Sequence, residues 1–209
     1  SPMSRGLGDV YKRQIYSIAI GEGELLTTPL QMANLAATLA NRGWYRLPHF
    51  VRDLGGNGKP SGLGIRQETG VDPRHFDPVV EAMRDVVDQP SGTGRRARID
   101  GIAVCGKTGT VQDEPRKDHS VFIAFAPMDD PQIALSVYVE NSGFGGEWAA
   151  PIAALLIEQY LTGEVSSVAR LNRILDADLS DPYPEPEEKS AEETATDVPM
   201  TELPVTDAQ

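Results

Sequence analysis

The stretch Gly101-Ile102-Ala103-Val104-Cys105-Gly106-Lys107-Thr108-Gly109-Thr110-Val111 decides how this chain folds. From Gly101 to Thr108 it satisfies the phosphate-loop pattern of Gly, four residues, Gly-Lys-Thr. Such a loop has to curl so that backbone N–H groups converge, and a helix has to begin at the Lys-Thr. Here Ile102 to Cys105 are small or β-branched and apolar, which favours extended backbone. A charged loop containing Pro115 follows instead of a helix, and no apolar strand precedes, only Arg95-Arg96-Ala97-Arg98. The residues favour a strand from Ile99 to Val111. Residues two apart on a strand share a face, so Thr108 and Thr110 point one way and Lys107 and Gly109 the other. At a sheet edge this row lines a cleft, with hydroxyls and N–H groups facing a peptide and Gly109 permitting close approach.

Two more strands follow. Ser120 to Ala126 (SVFIAFA) is apolar on both faces and reads as central and buried. Gln132 to Glu140 alternates Ile133, Leu135, Val137 and Val139 with Ser136 and Glu140, the pattern of one core face. Pro127 to Pro131 is short enough for a hairpin, so these two strands pair antiparallel. A helix over Ala149 to Leu161, apolar nearly all round, lies against the sheet. Upstream, Thr28-Pro29-Leu30-Gln31 is a capping box, with Leu30, Ala33, Leu35, Ala36, Leu39 and Ala40 as an apolar face and Asn41-Arg42-Gly43 as the stop. A further helix begins near Asp77-Pro78, with Val79, Val80, Met83, Val86 and Val87 on one side and Pro90 at its end. Between these helices, Trp44 to Gly70 reads as loop with room for short strands.

The formal charge is −12, but the stretch from Asp176 to Gln209 carries eleven Asp and Glu against Lys189 alone, so the rest is nearly neutral. Neither part has the basic surface that nucleic acid requires. The single cysteine, Cys105, excludes an internal disulfide and a four-cysteine zinc site. No apolar run reaches the ~18 to 20 residues needed to span a bilayer. Residues 1–14 (SPMSRGLGDVYKRQ) lack apolar periodicity and read as an artefactual leader. The expected organisation is a leader over 1–14, one domain over 15–175, and an acidic tail over 176–209, disordered beyond Ser180.

Lys107-Thr108-Gly109 is the Lys-Thr-Gly element found in serine β-lactamases and penicillin-binding proteins. AIGEGELLTTPLQMANLAATLANRG, GIAVCGKTGTVQ, DHSVFIAFAPMDDPQIALSVYVEN and AAPIAALL resemble successive blocks of a class B penicillin-binding protein, in the same order. The Gly-x-Gly before TPLQ and Val139-Glu140-Asn141 are most similar to the elongation type, penicillin-binding protein 2, although that family usually has Gln where Glu22 stands. The resemblance implies an α+β fold, an antiparallel sheet with packed helices that forms part of the penicillin-binding and serine β-lactamase-like transpeptidase fold. It implies a peptidoglycan D,D-transpeptidase, acting on D-alanyl-D-alanine stem peptides, inhibited by β-lactam antibiotics and working beside other cell-elongation proteins. Lys107 and Thr110 are the implied catalytic residues, and Thr108, Gly109 and Thr110 bind substrate. No cofactor or metal ligand is implied in this region. The implied location is the periplasmic face of the inner membrane, through an upstream anchor.

No serine has Lys three residues on, and Ser-x-Asn is absent, so the nucleophile and second motif of that family are not in this sequence. The chain alone is therefore expected to be inactive. Two other functions stay on the table: a non-catalytic peptide- or β-lactam-binding module of the same fold, and a nucleotide binder. His119 reads as a loop residue capping the second strand, His49 and His75 as surface or partly buried residues, and Cys105 as a small core side chain. Gly143-Phe144-Gly145-Gly146 reads as a turn that could bound the cleft. Trp148 and Tyr160 read as packing residues.

Overall fold

The computed structural model describes residues 25–50 and 64–180, together with Ile15, Tyr16, Ile18 and Gly21. The leader, the segment 51–63 and the tail beyond Ser180 lie outside the described residues. Helix α1 is Pro29–Ala40, followed by strands β1, Trp44–Arg46, and β2, Arg66–Glu68, then helix α2, Phe76–Asp88. The sheet strands are β3, Cys105–Val111, β4, His119–Ala126, and β5, Ile133–Val139. Helices α3, Ala149–Thr162, and α4, Val168–Leu175, close the series. No helix of the described residues is long and apolar enough to cross a membrane.

The three-stranded sheet has the order β3-β4-β5, antiparallel throughout, so among the described residues β3 is an edge and β4 is central. This is the expected α+β arrangement. Phe122, Ala124 and Ala126 join Ala149, Ala150, Ala153, Ala154 and Ile157 of α3 on one face. Cys105 and Phe125 meet Ala40 of α1 and Val80 and Met83 of α2 on the other. The sheet is thus covered on both faces, which is why Val121 to Ala126 is apolar at every position. Val137 is buried, and Ile133, Leu135 and Val139 pack beside it, as the alternation in β5 requires.

Capping works at α1 as its sequence dictates. Thr28 N–H donates to Gln31 Oε1 at 2.8 Å, while Gln31 N–H donates to Thr28 Oγ1 at 3.3 Å. The chain leaves α1 through Arg42 and Gly43 at φ 56° and 107°. Four expectations need correction. Leu30 and Leu35 are 51 % and 45 % exposed, because only the stripe holding Ala36 and Ala40 meets the sheet. Val79 is likewise exposed on α2. The cap of the second helical segment lies one turn before Asp77: Asp72 accepts from Arg74 N–H and Pro73 opens a 3-10 turn that leads into α2. Finally, β3 begins at Cys105 rather than Ile99, since Gly101 takes φ 78° and Ile102 N–H closes a turn on Ile99 C=O.

Ser120 links the layers. Fully buried on β4, its hydroxyl donates to Phe144 C=O and accepts from Ala149 N–H, both at 3.0 Å, and so caps α3 from a neighbouring strand. Ser120→Ala is expected to destabilise the chain by about 1–3 kcal/mol, the cost of orphaning buried backbone groups, measurable by urea unfolding. Burial pushes the Cys105 thiol from its ordinary 9.0 up to about 12. The unfolded chain therefore loses this proton first as pH rises. The contribution is complete below pH 9.0 and disappears between there and about 12. Unfolding midpoints of Cys105→Ala and the parent chain compared across that window should show the alkaline loss shallower in the variant. Thiol reagents at neutral pH should label Cys105 only after unfolding.

Candidate functional site

Register along β3 fixes the side on which each motif residue lies. Thr108 pairs with Phe122 and Thr110 with Ser120, so both threonines share the α3 face, whereas Lys107 pairs with Ile123 and Gly109 with Val121. This is the alternation read from the sequence. It also settles the phosphate-loop question: Lys107 and Thr108 lie within an extended strand, and no helix starts there. Gly106 is glycine for a packing reason. A Cβ there would overlap the Phe122 ring, which passes directly beneath β3.

A cleft of about 420 Å³ opens beside Thr108 and Thr110. One wall is the turn that carries Thr93, Arg95 and Arg96; the other holds Phe144 and Glu147. Thr93 and Thr108 hydroxyl oxygens are 2.8 Å apart. Only one of the two hydrogens is used between them, so this pair keeps one O–H to offer a ligand. The far wall comes close because it is glycine: a Cβ on Gly145 would overlap the Val121 and Gly109 carbonyl oxygens, and one on Gly146 the Thr93 carbonyl. Gly143-Phe144-Gly145-Gly146 does bound the cleft. A larger depression of about 550 Å³ beside Trp44 and Arg66 contains none of the motif residues.

Lys107 is exposed, and its ammonium folds along the strand to donate to Thr108 C=O at 2.8 Å. Thr108, Gly109 and Thr110 are half-buried. The sequence reading missed Thr93 and the Arg95-Arg96 pair, whose approach to Thr108 depends on the tertiary placement of a turn some fifteen residues earlier. Gly92-Thr93-Gly94 was that turn's only signal.

His119 begins β4 and is not among the residues that line this cleft. Its Nδ1 accepts from Asn141 N–H at 3.0 Å, and its Nε2 lies 3.6 Å from Asp113. The Asn141 side chain donates to Asp113 at 2.9 Å, and with Arg116 and His119 nearby this holds the Asp113 carboxyl below its ordinary range. Asn141, at φ 48°, is one of the few residue types that tolerate this conformation. The cluster ties the 112–118 loop to the end of β5. Trp148 packs beneath the Arg173 guanidinium, 4.9 Å from the ring centre, and Tyr160 is exposed. No group of His, Cys, Asp and Glu among the described residues could hold a metal ion.

The family model of the penicillin binding protein transpeptidase domain matches residues 4–158. The chain is 33 % identical to peptidoglycan D,D-transpeptidase MrdA of Acinetobacter baumannii, over 91 % of this chain and 31 % of that protein. It is 35 % identical to peptidoglycan D,D-transpeptidase PbpA of Mycobacterium tuberculosis, over 70 % of this chain and 32 % of that protein. Among solved structures, penicillin-binding protein 2 of Pseudomonas aeruginosa in complex with WCK 5153 superposes with a TM-score of 0.62 at 34 % identity, covering 71 % of this chain and 32 % of that one. The ceftriaxone acyl-enzyme of penicillin-binding protein A from M. tuberculosis gives 0.60 at 32 % identity, covering 68 % and 34 %. The chain spans about a third of the length of these relatives. The family match over residues 4–158, the identities to these relatives and the superposition together mean that the chain belongs to the penicillin-binding protein transpeptidase family, class B, of the penicillin-binding protein 2 type.

Proposed function

We propose that this chain is the substrate-carboxylate side of a peptidoglycan D,D-transpeptidase. The observation that carries the reading is the placement of Thr108 and Thr110 side by side on an edge strand, facing a cleft. In such an enzyme a serine hydroxyl attacks the D-alanyl-D-alanine carbonyl, and the terminal D-alanine leaves with the proton on its amine. An amine of a neighbouring stem peptide then attacks the acyl-enzyme and regenerates the serine.

On this reading the Thr108 and Thr110 hydroxyls hydrogen-bond the terminal carboxylate, a charge-assisted contact that sets register. Gly109, without a side chain, lets the peptide approach β3. Lys107 brings a positive charge to the substrate carboxylate and helps relay a proton from the second motif, which lies outside this sequence. The Thr110 N–H is one donor of the oxyanion hole, a role whose loss typically costs about 2.7 to 4 kcal/mol in the barrier. β-Lactams enter as mimics of the same peptide, in keeping with the ceftriaxone acyl-enzyme of the M. tuberculosis relative. The same reading places the domain at the periplasmic face of the bacterial inner membrane, beside other cell-elongation proteins, under an anchor further upstream.

Because no Ser-x-x-Lys occurs in the sequence, the chain by itself should bind without turning over. Incubation with a fluorescent penicillin should leave no covalent band on a denaturing gel; a stable adduct would overturn this assignment. Titration with an N-acetylated peptide ending in D-alanyl-D-alanine should shift the amide resonances of Thr108 and Thr110. Thr110→Val should weaken that binding roughly ten- to hundredfold, the worth of a hydrogen bond to a charged group. Unmoved Thr108 and Thr110 resonances at saturating peptide would contradict the carboxylate assignment.

A further inference from the structure

The cleft wall from Gly143 to Glu147 sits directly on the motif strand, since Gly145 has no room for a Cβ against the Gly109 and Val121 carbonyl oxygens. What holds the wall there begins two residues before it. Among the described residues, Arg42 and Asn141 are the only non-glycine residues at positive φ, 56° and 48°. Asn141 stands where the chain leaves β5 for this wall. All three of its N–H hydrogens are committed to the segment 113–119. Its backbone N–H donates to His119 Nδ1 at 3.0 Å, and its side-chain amide donates to Asp113 at 2.9 Å and to Lys117 C=O at 3.0 Å. Gly143 N–H adds a fourth bond, to Asp118 C=O at 2.8 Å.

The acceptor end of this clamp is anchored to the motif strand. Asp113 lies two residues beyond Val111, the last residue of β3, and Thr110 directly precedes Val111. Arg116 Nε is 2.9 Å and His119 Nε2 is 3.6 Å from the Asp113 carboxylate, while the His119 ring lies against Tyr138 of β5, centroids 5.3 Å apart. Hydrogen bonds to an ionised carboxylate are stronger than neutral ones, so the bond from Asn141 to Asp113 is the firmest of the set. Thr110, Asp113, Asn141 and the glycine wall are thereby joined in series. Asparagine suits the position because it tolerates left-handed backbone and carries two amide donors on a short side chain. Glycine shares the first property and lacks the second. Aspartate shares the first and replaces the donors with a charge like that of Asp113.

We infer that Asn141 and Asp113 are a positioning pair for the cleft: their bond sets how far the wall from Gly143 to Glu147 stands from Thr108 and Thr110, and so how tightly a peptide is held between them. Neither residue lines the cleft, so the effect is exerted through the wall. The binding half of this inference rests on the reading that Thr108 and Thr110 receive the peptide carboxylate; the wall half stands without it. Further along the wall, the Ser120 hydroxyl donates to Phe144 C=O and Ala150 N–H of α3 donates to Gly145 C=O, both at 3.0 Å. Loss of the pair therefore loosens one end of the wall and leaves the fold standing.

The test uses the full chain, isotope-labelled, with and without the N-acetylated D-alanyl-D-alanine peptide. The free parent chain should show a nuclear Overhauser contact between the Gly146 Hα and the Thr108 methyl, whose carbon lies 4.0 Å from where a Gly146 Cβ would stand. Asn141→Gly and Asp113→Ala should each weaken that contact, and each should weaken peptide binding about tenfold. Together they should cost no more than either alone, because both break one bond. Asn141→Asp should be at least as harmful as Asn141→Gly. Asp113→Asn/Asn141→Asp, which restores the bond with donor and acceptor exchanged, should recover part of the affinity. Thermal unfolding of each variant confirms that it is folded. A merely structural role would lower the unfolding midpoint and leave both the wall contact and the affinity unchanged, and that result overturns the inference. Additive losses in the double variant, or no recovery on exchange, overturn it as well. If the variants weaken the wall contact but the peptide leaves Thr108 and Thr110 unmoved in the parent chain, the carboxylate reading alone fails. If the peptide moves both threonines and every variant binds it equally well, the positioning pair alone fails.

Discussion

The residue-by-residue pairing of β3 with β4, from Cys105 opposite Phe125 to Val111 opposite His119, is the constraint on which the rest of this structure depends. An antiparallel ladder over seven residues commits the backbone of 105–111 to extended geometry and assigns each side chain a face. Phe122 can lie fully buried under the ladder only because Gly106 leaves its ring space. Ser120, two residues along on the same face, then reaches both the Phe144 carbonyl and the first N–H of α3. Sheet, helix and cleft wall are thus held by one strand.

The cleft follows from two close approaches to that ladder. On one side a turn anchored by Gly94 against the Phe122 ring delivers Thr93 to Thr108. On the other, Gly145 and Gly146 bring the loop before α3 against the backbone of β3, β4 and the turn. Glycine at these points is a matter of contact distance, since a methyl group would have to displace backbone atoms. Threonine hydroxyls, unpaired guanidiniums and a lone carboxylate are then displayed on walls that the hydrophobic layers hold in place. Polar groups presented this way lose little freedom on binding, which favours recognition of a charged group.

Much of this was legible in the sequence because periodicity and cap chemistry carry direct physical meaning. The run SVFIAFA, apolar on both faces after Ser120, named the central strand, the alternation after Ile133 named its half-covered neighbour, and Thr28-Pro29-x-Gln31 fixed a helix start to the residue. Failures came where two local signals were equivalent or where packing decided. Asp72-Pro73 and Asp77-Pro78 are the same cap dipeptide, and only the fold shows that the first one turns the chain. Ile99 and Ile102 look strand-like, but Gly101 at positive φ turns them back on each other. Leu30 and Leu35 belong to a helix with more apolar residues than one face of a sheet can cover. The site itself was half visible: Lys107 to Thr110 stood out as a motif, whereas Thr93, Arg95 and Arg96 reach it only through tertiary structure.

The strand geometry places the lysine of the motif on a sheet edge among the described residues and not at the mouth of a nucleotide loop. The most direct check is a set of cross-strand nuclear Overhauser contacts in the labelled chain, read together with Cα secondary shifts from Cys105 to Val111. Backbone contacts joining Thr108 to Phe122 and Thr110 to Ser120, with extended-strand shifts at Lys107 and Gly109, are the expected result. Contacts from each residue to the third and fourth beyond it, beginning at Lys107, with resonances that move on adding ATP and magnesium, would contradict the account at its root.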